Sequence, residues 1–329
     1  MSFPQRNVTD YSAPDSSASE PPSAADSLSL LAPEDCAGLR LDQALARLLP
    51  EHSRSRLQTW TRQGRVRLDG VVVVETKRKL FGGERILIER APDPRRQAAE
   101  PEAIALAMVF EDEDILVVNK PAGLVVHPGS GNPAGTLLNA LLHHAPALAA
   151  LPRAGIVHRL DKETSGLLVV AKTEVAQTDL VRQLQARSVK RHYLALVHGD
   201  LARGGKVDAP IGRHPTQRVK MAVVGGGREA RTHYEVRSRF GVATLLECRL
   251  ETGRTHQIRV HMASIGHPLV GDPTYGKRNA ATPLLAAFRR QALHAWRLQL
   301  VHPRLGQEFA WEAPLPDDFV ALLLRVGAQ

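Results

Sequence analysis

The chain has 329 residues, 43% of them apolar and 23% charged, a globular composition long enough for two domains. That excludes a disordered or collagen-like chain. Its 43 Lys and Arg outweigh 34 Asp and Glu, but unevenly: residues 1–38 carry a net −5 and the remainder +14. A body that basic points to a polyanionic partner, with RNA or DNA first and a membrane surface behind them. Cys36 and Cys248 lie far apart and outside any CxxC pair, which fits a reducing compartment and argues against a disulfide scaffold or a structural zinc site. No basic-then-apolar leader opens the chain. The long uncharged stretch over residues 121–152 is broken by Pro128, Pro133 and Pro146, so it cannot be one membrane helix. The expectation is a soluble, cytoplasmic protein.

Residues 1–38 are rich in Ser, Ala, Pro and acid with few large apolar side chains, which predicts a disordered tail. Residues 39–90 form a basic segment with 12 Lys and Arg against 6 Asp and Glu. Leu41, Leu45, Leu48 and Leu49 recur at helical spacing, and Ser53 opens a second helix with Leu57 and Trp60 turned inward. Short alternating strands follow at Val66 and Leu68, Val71–Val74 and Ile86–Ile88, with a turn at Asp69-Gly70. On charge alone the segment is either an ordinary small unit with a solvated basic face, or an RNA-binding module in which Arg54, Arg56, Arg62, Arg65 and Arg67 meet phosphates. LRLDQALARLLP followed by SRSRLQTWTRQGRVRLDG resembles the small alpha-L RNA-binding domain first described in a small-subunit ribosomal protein, and the resemblance favours RNA. Residues 91–102 have linker composition.

From residue 103 to residue 329 strands alternate with a few helices. Strands are expected at Ile115–Asn119, Leu124–His127, Gly166–Ala171, Tyr193–Val197, around Thr244–Leu250 and at Trp296–Leu300, with a hairpin to Phe309 and Trp311. Helices are expected from Thr136 through His144, from Glu174 to Arg187, and from a cap at Asp317 or Asp318 through Leu324. Hairpins outnumber strand–helix–strand units. The predicted class is therefore α+β, a mixed and mainly antiparallel sheet with helices packed on it, preceded by the small α+β module.

Several familiar motifs are ruled out. Gly129–Gly135 has the wrong spacing for a dinucleotide fingerprint and lacks a phosphate-loop Lys, and His256 and His261 are not spaced as helix-face metal ligands. No metal and no cofactor are expected. Three segments carry chemistry. In the first, His158-Arg159-Leu160-Asp161 and Thr164-Ser165-Gly166 run into an apolar strand, placing an acid between cations at the strand's mouth; a structural Arg159–Asp161 bridge is the plainer reading. The second, Glu251 to His261, brings Arg254, His256, Gln257 and Arg259 to the start of a helix, where an anion or a catalytic carboxylate would sit; a solvated helix face is its rival. In the third, Lys190-Arg191-His192-Tyr193, the tyrosine stacks on a base or belongs to the core.

Taken together, in this order, HRLD with its TSG continuation, the KxxY element and TGRTHQIRVHMASIGHPLVGDPTYG resemble the RluA family of pseudouridine synthases. The likeness covers nearly all of the chain after the tail. PRAGIVHRLDKETSGLLVVAKT, RHPTQRVKMAV and LETGRTHQIRVHMA bring it closest to the RluD type, which carries the alpha-L module and acts on large-subunit rRNA. The resemblance implies isomerisation of uridine to pseudouridine by a monomer without a cofactor. It assigns Asp161 as the essential carboxylate, Arg254 as its partner and Tyr193 as the residue stacked on the extruded base. Arg159 helps displace the uridine, and His158, Thr164, Gln257 and Arg259 line the substrate. Arg213, Arg218 and Lys220 join the module's arginines on RNA. Another rRNA site or tRNA is an alternative target. Rivals of other classes are a non-catalytic RNA-binding assembly factor and an RNA methyltransferase, the latter disfavoured by the missing Gly-rich loop.

Overall fold

Leu41, Ala44 and Leu45 recur at helical spacing and are fully buried, so α1 (Leu41–Leu48) forms where the leucine periodicity places it. The computed structural model describes residues 27–49, 52, 54–89, 100–129, 131–276 and 283–328. The chain divides into two units, Met1–Pro94 and Arg95–Gln329. In the first, α1 and α2 (Arg54–Arg62) cover an antiparallel sheet of β1 (Ser27–Leu31), β2 (Val66–Leu68), β3 (Val71–Val72) and β4 (Arg85–Glu89), ordered β1-β4-β2-β3. Leu57, Trp60, Val66, Leu68, Ile86 and Ile88 form its core. The two-residue turn at Asp69-Gly70 has φ of 50° and 85°, the left-handed pair that a tight hairpin demands.

The disordered tail assigned to residues 1–38 needs correcting. Residues 1–26 lie outside the described residues, but β1 pairs in register with β4, setting Leu28 against Ile88 and Leu30 against Ile86. Ala32 and Cys36 are buried in the same core. Two leucines alternating with serine suffice to edge a sheet, and an average over 38 residues conceals them. Of the linker assigned to residues 91–102, residues 91–99 lie outside the described residues. Its end belongs to the second unit, where Asn139 Nδ2 donates to the Glu100 carbonyl (2.8 Å) and the Glu102 carboxylate accepts the Gly135 N–H (2.8 Å).

The second unit is built on one mixed sheet. Its strands are β5 (Met108–Glu111), β6 (Ile115–Lys120), β7 (Ser165–Ala171), β8 (Lys190–His198), β9 (Gly205–Asp208), β12 (Arg231–Arg239), β13 (Ala243–Leu250), β14 (Leu293–Val301) and β15 (Glu308–Glu312). They lie in the order β5-β6-β7-β14-β8-β13-β12-β9, with β15 paired to β14. The β7–β14 pair is parallel and the other strand pairs antiparallel. Between β9 and β12, β10 (Ile211–Arg213) and β11 (Met221–Val223) form a separate hairpin. The apolar runs of β6 and β7 are buried on both faces. Alternate residues Leu116, Val118, Leu168 and Val170 share one face with Tyr193, Ala195 and Val197 under α3 (Leu137–His144) and α5 (Gln257–Ser264). Ile115, Val117, Leu167 and Val169 face the other side, with α4 (Glu174–Gln185). Leu196 packs with α6 (Pro283–Ala287) and α7 (Asp317–Gly327).

Local expectations fail in three places. Leu124–His127 is not a strand; only Val125 makes a bridge, to Thr136, because the carbonyls of Val125 and Val126 accept the N–H groups of Leu137 and Leu138 at the start of α3 instead of a ladder. Pro316, not an aspartate, occupies the cap position of α7, with Asp317 and Asp318 in its first turn. α5 begins at Gln257, so Arg254 precedes the helix rather than lying on it.

Candidate active site

Asp161 sits in the loop that feeds β7, and every residue from 162 to 165 is tied down behind it. Lys120, at the end of β6 and only 1% exposed, donates to the carbonyls of Pro121 (2.7 Å), Leu124 (2.9 Å) and Lys162 (3.0 Å). Arg290 donates to the Glu163 carbonyl (3.2 Å) while its other nitrogens hold Asp318. Gln291 donates to Thr164 Oγ1 (3.2 Å), and Ser165 Oγ meets His294 Nδ1 (2.9 Å). Gly166 closes the loop with φ of +112°; a Cβ there would lie 2.2 Å from the Ala295 carbonyl oxygen, so β7 can draw against β14 only with glycine at this position. A loop fixed at each step presents its carboxylate without an ordering cost. Burial pushes Lys120 down from 10.5 to about 7, against the opposing pull of Glu163 and Asp161.

The partner of Asp161 is Arg259, not Arg254. Arg259 Nη1 donates to Asp161 Oδ2 (3.0 Å), while Nε and Nη2 grip the buried Asp272 through both oxygens (2.7 and 2.9 Å). Asp272 Oδ1 also accepts the N–H groups of Thr274 (2.8 Å) and Tyr275 (3.0 Å). Burial works against both charges. The two aspartates still raise the Arg259 pKa, and Arg259 with the backbone donors holds Asp272 below its usual range. Arg254 donates through Nε to the Glu229 carbonyl (2.9 Å) instead, because it lies ahead of the turn into α5 while position 259 lies inside the helix. Asp272 and Lys120 escaped the sequence reading. The only signals were an acid in the apolar PLVGDPTYG run and a lysine ending the apolar strand ILVVNK.

The other expected residues divide by burial. Tyr193, on β8 beside Ala295 of β14, is 6% exposed and faces the same side of the sheet as α5. Burial raises its phenol above 10, with Arg191 opposing and Asp161 adding to the rise, so it is neutral near pH 7. Arg159 is exposed at the loop's rim. Gln257 does not line a substrate space: its carbonyl accepts from Thr252 Oγ1 (2.8 Å) and the Arg254 N–H (3.0 Å), and its amide donates to the Arg231 carbonyl and Thr232 Oγ1 (3.0 Å each). Thr164 is buried against Gln291, and His158 Nε2 accepts the Val169 N–H (3.1 Å). Burial drives His158 down to about 3, so it is a neutral strand brace. Gln257 and Thr164 therefore serve the scaffold, their side-chain polar atoms engaged by backbone and loop partners, and His158 commits one ring nitrogen to β7.

His256, a member of the basic cluster that no role singled out, also comes next to Asp161. Its φ of 57° is left-handed, its Nδ1 lies 2.9 Å from Tyr275 Oη, and its Nε2 lies 3.9 Å from Asp161 Oδ1. The pair of histidines at 256 and 261 is split by geometry, since His261 is buried between Thr232 Oγ1 and the Ala209 carbonyl. Among the described residues one group of side chains could hold a cation, Asp112, Asp114 and His302. There His302 spends Nε2 on Asp112 (2.7 Å) and Nδ1 on the Arg304 and Leu305 N–H groups, and Arg304 Nε meets Asp114 (2.6 Å).

Of the arginines assigned to RNA, Arg54 spends Nε and Nη2 on the buried Asp42 (3.2 and 2.7 Å) and Arg67 faces Glu89 (3.3 Å). The Arg56 side chain lies outside the described residues. Arg62 is exposed and Arg65 half-buried, and neither makes an ion pair among the described residues. Arg213 and Arg218 are exposed on the β10–β11 hairpin, where Arg213 Nη1 donates to the Arg218 carbonyl (3.1 Å), and Lys220 is half-buried. Among the described residues no helix is long and apolar enough to cross a membrane.

Residues 114–264 match the RNA pseudouridylate synthase family model, and residues 39–86 match the S4 domain. The ribosomal large subunit pseudouridine synthase D of Nitrosomonas europaea is 58% identical over 98% of this chain and 94% of its own length. The protein of that name from Escherichia coli K12 is 54% identical over 88% and 91%. Among solved structures, human RNA pseudouridylate synthase domain containing 4 is similar with a TM-score of 0.54 and 29% identity, over 67% of this chain and 92% of that one.

Proposed function

This chain belongs to the family of RNA pseudouridylate synthases, and from that premise we propose that it converts specific uridines of large-subunit ribosomal RNA to pseudouridine. The observation that carries the reading is the Asp161–Arg259–Asp272 chain on a fully anchored loop, with Tyr193 on the same face of the sheet. In the reaction the C1′–N1 bond breaks with its electrons on N1 and the uracil turns. C1′ then bonds to C5, C5 loses its proton and N1 gains one. Atoms and charge balance with no redox partner, so the reaction calls for no cofactor. Asp161 acts on the base, on the ribose carbon, or beside an oxocarbenium-like carbon; each route needs an aimed carboxylate, and the hydrogen bond from Arg259 Nη1 to Oδ2 aims it. Tyr193 stacks on the extruded base and Arg159 takes its place in the stem. The S4 module binds RNA through Arg62 and Arg65, and the β10–β11 hairpin through Arg213, Arg218 and Lys220. We place the enzyme in the cytoplasm, as a monomer.

The test is the Asp161→Asn variant on a large-subunit rRNA transcript. RNA affinity is expected to stay within about threefold of wild type while carbodiimide-reactive pseudouridine falls by at least about 1,000-fold. Wild-type conversion by the variant would sink the assignment. A wild-type protein that binds the transcript and converts nothing would favour an assembly factor.

A further inference from the structure

We propose that His256 is a catalytic hydrogen-bond donor, giving its Nε2–H to a carbonyl oxygen of the uracil while that base carries negative charge. The inference rests on the pseudouridine synthase reading.

The two cations anchored around Asp161 are already committed. Arg259 spends Nε and Nη2 on Asp272 and Nη1 on Asp161 Oδ2. Lys120 has three carbonyls for its three protons. Oδ1 of Asp161 is the oxygen Arg259 leaves aside, and His256 Nε2 lies 3.9 Å from it, too far for a hydrogen bond and beside whatever Oδ1 attacks or stabilises. The His256 side chain is 24% exposed and that of Asp161 17%, so both keep surface open beside their 3.9 Å approach.

The proton on His256 is assigned by its neighbour. Tyr275 Oη accepts the Met221 N–H of β11 (2.9 Å), and we assign its own proton to His256 Nδ1, 2.9 Å away and the one side-chain partner recorded for that hydroxyl among the described residues. The neutral ring then carries its hydrogen on Nε2, facing Asp161. Burial lowers the His256 pKa below 6.5, against the pull of Asp161, which keeps the ring neutral. A ring edge-on to Tyr275 at 5.6 Å, on a residue forced to a φ of 57°, is held rather than loosely placed.

The chemistry calls for such a donor by either route. Glycosidic cleavage leaves the bond pair on N1, spread to the C2 carbonyl directly and to the C4 carbonyl through the C5–C6 double bond. Attack by Asp161 on C6 instead pushes charge to the C4 carbonyl oxygen. His256 gives a hydrogen bond and keeps its proton, so the atom balance of the isomerisation is unchanged.

The experiment measures kcat and KM on an rRNA transcript for three variants. His256→Asn suits the left-handed backbone and can mimic Nδ1 but not Nε2; kcat is expected to fall about 100-fold with KM within about threefold. His256→Gln, whose amide reaches the Nε2 position, is expected to regain at least about tenfold of that loss. Tyr275→Phe removes only the hydroxyl that sets the tautomer, and kcat is expected to fall about tenfold. A His256→Asn kcat within threefold of wild type, or a loss confined to KM, overturns the proposal. Should His256→Asn fail to fold, an unchanged kcat in Tyr275→Phe overturns it as well. An inactive wild type or an active Asp161→Asn enzyme would instead strike at the functional reading itself.

Discussion

Replacing Lys120 by Met tests whether the loop behind Asp161 is anchored by a buried ammonium. Met keeps the length and apolar stem but leaves the carbonyls of Pro121, Leu124 and Lys162 without a donor. Two large effects oppose each other. Three stranded acceptors cost the variant about 1–3 kcal/mol each, whereas the wild type carries the cost of a buried charge, expressed in a pKa lowered from 10.5 to about 7. They offset, so a single stability comparison decides nothing, but their pH dependence differs. The folded pKa lies below the unfolded one, so between about 7 and 10.5 the unfolded chain holds a proton that the folded chain has shed. Raising the pH through that window therefore favours the folded wild type. The stability of wild type minus that of Lys120→Met is expected to rise by about 2.7 kcal/mol from about pH 6 to about pH 9. Urea denaturation followed by Trp296 and Trp311, both in the second unit, in a Trp60→Phe background would measure it. Other titrating groups cancel in the difference. A difference flat to within about 0.5 kcal/mol, or falling with pH, would refute the reasoning.

Two further outcomes are expected. Gly166→Ala sets a Cβ 2.2 Å from the Ala295 carbonyl at a φ of +112°, and should cost at least about 3 kcal/mol in urea denaturation; a loss under about 1 kcal/mol would mean β7 and β14 can part without penalty. Arg62→Ala with Arg65→Ala should weaken binding of unrelated RNA hairpins about equally and lower the slope of log affinity against log salt by about 1.4 to 1.8; an unchanged slope would place the phosphate contacts elsewhere.

Much of the fold was legible because period and packing agree locally. Leucines spaced for α1, the two-sided apolar runs of β6 and β7, and the Asp69-Gly70 turn each form what their residues predict. Asp161 stood out because an acid among cations at a strand's mouth is a short-range pattern. Its partner did not, because Arg254 and Arg259 both belong to one basic cluster and nothing local tells them apart. The distinction is the turn at His256, which leaves Arg254 outside α5 on the Glu229 carbonyl and carries Arg259 to Asp161, 98 residues away.

By itself the sequence determined the sheet-and-helix class and the family, and it singled out Asp161 as the candidate carboxylate, since composition, periodicity and contiguous motifs carry these. Tertiary structure alone decided which polar side chains remain open to a substrate. Gln257 and Thr164 have their side-chain hydrogen-bonding atoms engaged by loop and strand partners and His158 gives one nitrogen to β7, whereas His256 keeps one nitrogen facing Asp161. A donor's commitment depends on partners brought from distant strands, and no spacing along the chain encodes it.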